Sequence, residues 1–241
     1  MTARKAAIGL CMICALLVAA VTASGASAAT TAYTCVPHAG GPLNGTCSGA
    51  GTEAEHVEVP PNTKTNITGE STGNSILKAT TAGVTLELTS TALDAEEAGP
   101  GEPAFMENRE VGGVMEAWGE GKIKYTNVTA NHNCLINGAA TATLITNRLK
   151  ATTTNKATLT FEPAAPPTFI SFTLSGCAIS ALNKTWTVEG SVTGEVEGVT
   201  TVFKHTKTTE AKTLKANTSI TAGLEGNLDI IGQNGNHLSL T

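Results

Sequence analysis

Gly69-Glu70-Ser71-Thr72-Gly73 spells a catalytic signature, the G-x-S-x-G nucleophile elbow. In a hydrolase that serine sits on a sharp strand-to-helix turn, which exposes its hydroxyl to a general base. Here Asn66-Ile67-Thr68 precede it and Asn74-Ser75-Ile76 follow, with no helix in prospect and no α/β alternation along the chain. A surface turn accounts for the motif better than a nucleophile does. The five histidines, His38, His56, His132, His205 and His237, are far apart and show neither metal spacing nor an H-E-x-x-H pattern. They read as solvated loop or strand-face residues. Asp94, Glu96, Glu97 and Glu102 offer hard oxygen ligands for calcium, but only one aspartate is among them and no D-x-D spacing exists. The stretch from Asp94 to Pro103 is therefore expected to be an exposed loop. A glycosidase pair would need two carboxylates a few ångström apart, and the aromatics that stack on sugars are scarce. Trp118, between Glu116 and Glu120, is the best candidate for a binding surface, whereas Trp186 lies in an apolar alternation and is expected in the core. No catalytic residue, metal ligand or cofactor is assigned.

The cysteines carry structural chemistry. Cys11 and Cys14 lie in an unbroken apolar run from Ala6 to Ala23, which follows Arg4-Lys5 and ends in Ala26-Ser27-Ala28. Basic start, apolar middle and small-residue exit make residues 1–28 a secretory signal peptide. Four cysteines remain in 29–241: Cys35, Cys47, Cys134 and Cys177. An even number in an exported chain reads as disulfides. Three pairings are possible, and Cys35–Cys47 with Cys134–Cys177 is favoured. A zinc site is disfavoured, because there is no C-x-x-C and His132-Asn133-Cys134 is the one nearby His–Cys pair.

Composition narrows the classes further. The formal net charge of −5 becomes −7 once Arg4 and Lys5 leave with the signal, which argues against a nucleic-acid partner. Only Arg109 and Arg148 then remain as arginines. No second stretch reaches membrane length, so no span is expected after signal removal. Threonine fills roughly one position in six, and its β-branched side chain favours strands. Aromatics make up 4% of the chain, leaving Val, Leu, Ile and Ala to fill the core.

The elements follow from period-two alternation. His56–Val59, Val84–Leu88, Met115–Thr129, Leu135–Leu149, Ala157–Phe161, Ile170–Leu174, Trp186–Val192, Val196–Phe203, Leu214–Leu224 and Leu228–Ile231 all read as strands. No window keeps a helical period. Leu77-Lys78-Ala79-Thr80-Thr81 recurs as Leu149-Lys150-Ala151-Thr152-Thr153, and more loosely at Leu214-Lys215-Ala216. Each copy is expected to open a hairpin, turning at Ala82-Gly83, Asn155-Lys156 and Ala222-Gly223. The fold class is all-β: an antiparallel sandwich or barrel-like set of sheets in a single disulfide-stabilised domain over 29–241.

Four segments carry a family likeness: Tyr33-Thr34-Cys35; Gly119-Glu120-Gly121-x-Ile123-x-Tyr125; Gly176-Cys177-Ala178-Ile179 with Ala181-Leu182-Asn183; and Val188-Glu189-Gly190-Ser191-Val192-Thr193-Gly194. Together they resemble a group of uncharacterised secreted bacterial proteins with a signal peptide and two cysteine pairs. The resemblance implies export and β-structure and brings no activity. The expected function is an exported, non-enzymatic β-protein, structural or adhesive at the cell exterior. The alternative is an extracellular ligand- or carbohydrate-binding module using a face near Trp118, and an exported hydrolase is the third choice.

Overall fold

The computed structural model describes residues 31–35, 56–71, 73–155, 158–197, 200–203, 214–232, 235 and 237–240. The signal segment, Cys47, His38 and His205 lie outside the described residues, and so does the expected Cys35–Cys47 bond. The chain is all-β, as its threonine-rich alternation favours, and a 3-10 turn lies at Ser180–Leu182. The strands begin with β1 (Ala32–Cys35), β2 (His56–Glu58), β3 (Thr65–Glu70), β4 (Ser75–Thr81), β5 (Val84–Ser90) and β6 (Ala92–Glu96). Next come β7 (Phe105–Val111), β8 (Val114–Ala130), β9 (Leu135–Ile136), β10 (Ala142–Ile145), β11 (Leu149–Asn155), β12 (Thr158–Pro163) and β13 (Thr168–Ser175). The last are β14 (Thr185–Glu189), β15 (Val192–Glu197), β16 (Thr200–Phe203), β17 (Leu214–Ala216), β18 (Ile220–Gly232) and β19 (Leu238–Leu240).

Eight of these strands close on themselves. Antiparallel pairings run β3–β7–β8–β11–β12–β15–β16–β18 and return from β18 to β3. Closure removes the free edges at which a sheet would recruit another chain. Two strands are long enough to leave the ring, β8 with 17 residues and β18 with 13. Their outer halves build a second sheet in the order β13–β14–β17–β18–β4–β5–β8. β13 pairs further with β9, and the Cys134–Cys177 disulfide joins the chain just past β8 to the chain just past β13, with Cα atoms 4.0 Å apart. The favoured central pairing is therefore present, and it ties β8 to β13 covalently across the second sheet.

Side-chain alternation sets inside against outside. On β8, Ala117, Gly119, Ile123 and Tyr125 point into the core, while Trp118, Glu120, Lys122 and Lys124 point outward. Leu149, Ala151, Leu159, Phe161, Val192, Leu228 and Ile230 are buried around the ring. The interior is filled. Gaps among the described residues include cavities of about 40 Å³ beside Ile67, Phe161 and Leu228, about 30 Å³ beside Leu77, Tyr125 and Leu224, and about 10 Å³ beside Met106 and Leu159, far below the roughly 300–1,000 Å³ of small-molecule sites. Most outward positions on the ring are charged or hydroxylic, as in the Thr160–Thr193 pair at 2.8 Å, with Trp118 and Val111 among the exceptions. That is the reverse of the apolar outer band a lipid-embedded barrel presents. Among the described residues no helix is long and apolar enough to cross a membrane.

Several expectations need correction: Leu135–Leu149 is not one strand but β9, β10 and the start of β11, and Trp186–Val192 is broken at Gly190 between β14 and β15. Asp94 and Glu96 do not lie in a loop. They sit on β6, alternating with Leu93 and Ala95, and Glu96 reaches Lys124 across the pair with β8 at 2.7 Å. The third LKA hairpin turns at Asn217–Ser219, not at Ala222-Gly223, because Asn217 and Thr218 take the positive φ the turn needs. Ala222 and Gly223 continue β18. Finally, β3 and β7 are strands that alternation did not announce, since polar residues occupy inward positions on them.

Asparagines brace the turns. Asn137 and Asn217, both at positive φ, each exchange two bonds with one threonine of a neighbouring strand. Asn137 N–H donates to the Thr173 carbonyl and its Oδ1 accepts from Thr173 N–H; Asn217 does the same with Thr187. The side chain thus completes a ladder where the backbone has already turned away.

Candidate binding face

The outer surface of β7, β8 and β11 carries the densest cluster of recognition chemistry in the described residues. A two-residue Gly112-Gly113 turn, both at positive φ, sets the β7–β8 register so that Glu107 faces Trp118 and Arg109 faces Glu116. Phe105 and Arg109 consequently flank Trp118 on the diagonals. The Phe105 and Trp118 rings lie 5.5 Å apart at 56°, and the Arg109 guanidinium carbon is 4.2 Å from the Trp118 ring centre. Lys64 covers Phe105 from the other side at 4.0 Å. The result is a row of cation, ring, ring and cation in which Phe105, 1% exposed, is covered by its neighbours and Trp118, overlaid by Arg109, is the half-exposed ring.

Gly119 and Gly121 make this strip possible. A Cβ on Gly119 would stand 2.6 Å from the Phe105 carbonyl oxygen, and one on Gly121 would stand 2.9 Å from the Ala104 Cβ. Only glycine lets β7 approach β8 this closely, so Gly119 and Gly121 serve packing on the inner side while Glu120 points outward between them.

Charges continue the face. Glu120 sits opposite Phe105 on β7 and Lys150 on β11. Its carboxylate pairs with Arg148, which also reaches Glu102 at 3.5 Å, and Glu102 in turn meets Lys64 at 2.5 Å. The hydrogen bond from Lys64 holds the Glu102 carboxyl below the ordinary glutamate range, helped by the nearby Arg148 charge. Beside this network lies an open groove of about 560 Å³, lined by Glu120, Asn147, Arg148, Lys150, Ala164 and Ala165.

The other sequence candidates separate. Ser71 follows β3, precedes another antiparallel strand and uses its Oγ to accept the Leu93 N–H at 3.1 Å. His132 contacts the Thr85 carbonyl at 3.0 Å, and His237 contacts Asp229 at 2.9 Å. Neither contact involves Ser71. Glu97 is exposed, and among the described residues no three His, Cys, Asp or Glu side chains converge as metal ligands. Trp186 is fully buried in the second sheet, its indole N–H donating to the Leu182 carbonyl at 3.1 Å. Trp118 is half-buried. The sequence reading weighed Glu102 only as a calcium ligand, named Arg109, Arg148 and Glu120 without placing them on this face, and missed Phe105 and Lys150. The Gly-Gly turn could have found Arg109, because a two-residue hairpin places it diagonal to Trp118.

Comparison with protein-family models, curated proteins and solved structures gave no match.

Proposed function

We propose that this chain is an exported, non-enzymatic β-protein that works outside the cell by binding saccharide, with the β7–β8–β11 face as its contact surface. One observation carries the reading. Arg109, one of the two arginines downstream of the leader, lies over the half-exposed Trp118 ring, and the other, Arg148, pairs with Glu120 two residues along the same strand. Tryptophan and arginine dominate the energetics of recognition surfaces, and this chain spends both on one face. A saccharide suits that face because its C–H surface packs on an indole while its hydroxyls meet carboxylate, amide and guanidinium groups. The filled ring interior supports an external site. The disulfide favours an oxidising compartment and agrees with the leader-like composition of residues 1–28. The likeness to uncharacterised secreted bacterial proteins points the same way. The Ser71 hydroxyl, spent on a backbone N–H, gives no support to a hydrolase.

Tryptophan emission tests the reading. Trp186 is enclosed and supplies a constant background, so a change on titration with cello-, xylo- or galacturono-oligosaccharides reports Trp118. The expected result is a saturable change with at least one of them in the native protein and none in Trp118→Phe. An unchanged signal with the whole panel, or an equal change in Trp118→Phe, contradicts it.

A further inference from the structure

This inference rests on the reading of the β7–β8–β11 face as a saccharide surface and concerns what controls it. We propose that Arg109 gates the face: in the free protein its guanidinium occupies the side of Trp118 on which a sugar would stack, and binding requires it to swing aside.

Occupancy is the first ground. The Arg109 guanidinium carbon lies 4.2 Å from the Trp118 ring centre, which is contact distance for a planar group on a ring. Phe105 approaches the indole from the opposite diagonal, 5.5 Å between ring centres. At 1% exposure it is fixed by its surroundings. A sugar therefore reaches the covered side of the indole only by displacing Arg109.

The second ground is how lightly Arg109 is held. Lys64 is tied to Glu102, and Arg148 is tied to Glu120 and Glu102. Arg109 has no such tie. Among the described residues no carboxylate lies within 4.0 Å of its guanidinium, although Glu116 stands opposite it in register. Its Nε is buried without a hydrogen-bond acceptor, so a swing into water returns hydration to that donor. The indole is what holds the guanidinium in place.

The strength of that hold sets the size of the effect. A cation–π contact at a partly exposed site favours the covered state about two- to fivefold. The ring is then open about one-sixth to one-third of the time. Apparent affinity falls by the open fraction, so the cover weakens stacking about three- to sixfold.

Acrylamide quenching of tryptophan emission in the ligand-free protein tests the cover. Trp186 is fully buried, and Trp118→Phe supplies its background. Arg109→Ala is expected to raise the Trp118 quenching constant about twofold or more. Arg109→Gln, which keeps the stem and a planar amide without the charge, should fall between. Titration with cello-, xylo- and galacturono-oligosaccharides tests the gate. Whichever the native protein binds should bind Arg109→Ala about three- to sixfold more tightly. Equal quenching of Trp118 in the native protein and Arg109→Ala overturns the inference. Raised quenching with equal or weaker binding also overturns it and makes Arg109 a contact residue. In both cases the native response to the oligosaccharide leaves the face reading standing. No response to any of the three oligosaccharides in either protein overturns the saccharide reading and the gate together. A variant in which Trp186 becomes quenchable has lost its fold, and Arg109→Gln then decides by the same outcomes.

Discussion

The Asn108 side-chain amide exchanges hydrogen bonds with the main chain of Ala32, 76 residues away. Asn108 Oδ1 accepts the Ala32 N–H at 2.8 Å, and its Nδ2 donates to the Ala32 carbonyl at 3.0 Å and to the Val59 carbonyl at 2.8 Å. Both residues are fully buried. Through this one side chain the ring, by way of β7, holds β1 at the centre of a three-stranded sheet with β2 and β19. Removing the amide leaves buried donors and acceptors unpaired, at about 1–3 kcal/mol each. Asn108→Ala should therefore destabilise by about 3 kcal/mol, and the near-isosteric Asn108→Asp by at least as much, because it loses both donors. Urea midpoints of the two variants check this. A loss under 1 kcal/mol for Asn108→Asp would show that packing rather than hydrogen bonding seats β1.

Cys134–Cys177 spans 43 residues and ties β8 to β13 across the second sheet. Loop entropy alone gives such a bond about 4 kcal/mol, and Cys134 is buried. Cys134→Ala is expected to lower the melting temperature clearly, and more than Cys35→Ala does. Calorimetry of both variants, with non-reducing peptide mapping of the native protein, measures it. Equal shifts would remove the special weight given to the central bond.

Gly119→Ala is expected to cost about 1–3 kcal/mol, the usual penalty of forcing an atom into a packed site, because the obstacle at 2.6 Å is backbone. Gly73→Ala, whose Cβ meets nothing within 4 Å, is the control and should change stability little. Comparable losses in the two variants would contradict the close β7–β8 approach.

Burial pushes the Tyr125 phenol above the ordinary tyrosine range. A raised acid constant means the folded state keeps its proton longer than the unfolded chain. Its contribution is therefore complete below about pH 10 and is lost as pH rises beyond that. Denaturant midpoints should fall between pH 9 and 11.5, and Tyr125→Phe should flatten that fall. An identical alkaline slope in both proteins would place the pH dependence elsewhere.

Much of the fold was legible because burial and alternation coincide on most strands. Val84, Leu86 and Leu88 or Leu159 and Phe161 announce themselves, and the disulfide followed from the number and placement of cysteines. Legibility failed where an inward position is polar. Asn108 breaks the apolar beat of Phe105–Val111, and its burial is rational only when Ala32 and Val59 are beside it. β3 was hidden in the same way, since Gly69 is buried on it for lack of room rather than for apolar character. Trp118 was visible in the sequence as a candidate. Its partners were not, because Arg148 and Lys64 reach the same face from distant parts of the chain, and ring closure is not a local property.

A glycan array probed with the native protein and Trp118→Ala, matched for melting temperature, tests the central claim most directly. The binding-face account predicts signals on saccharide spots for the native protein, with the strongest lost on Trp118→Ala. Signals that survive Trp118→Ala at full strength, or no signal above background with the native protein on any spot, would contradict it.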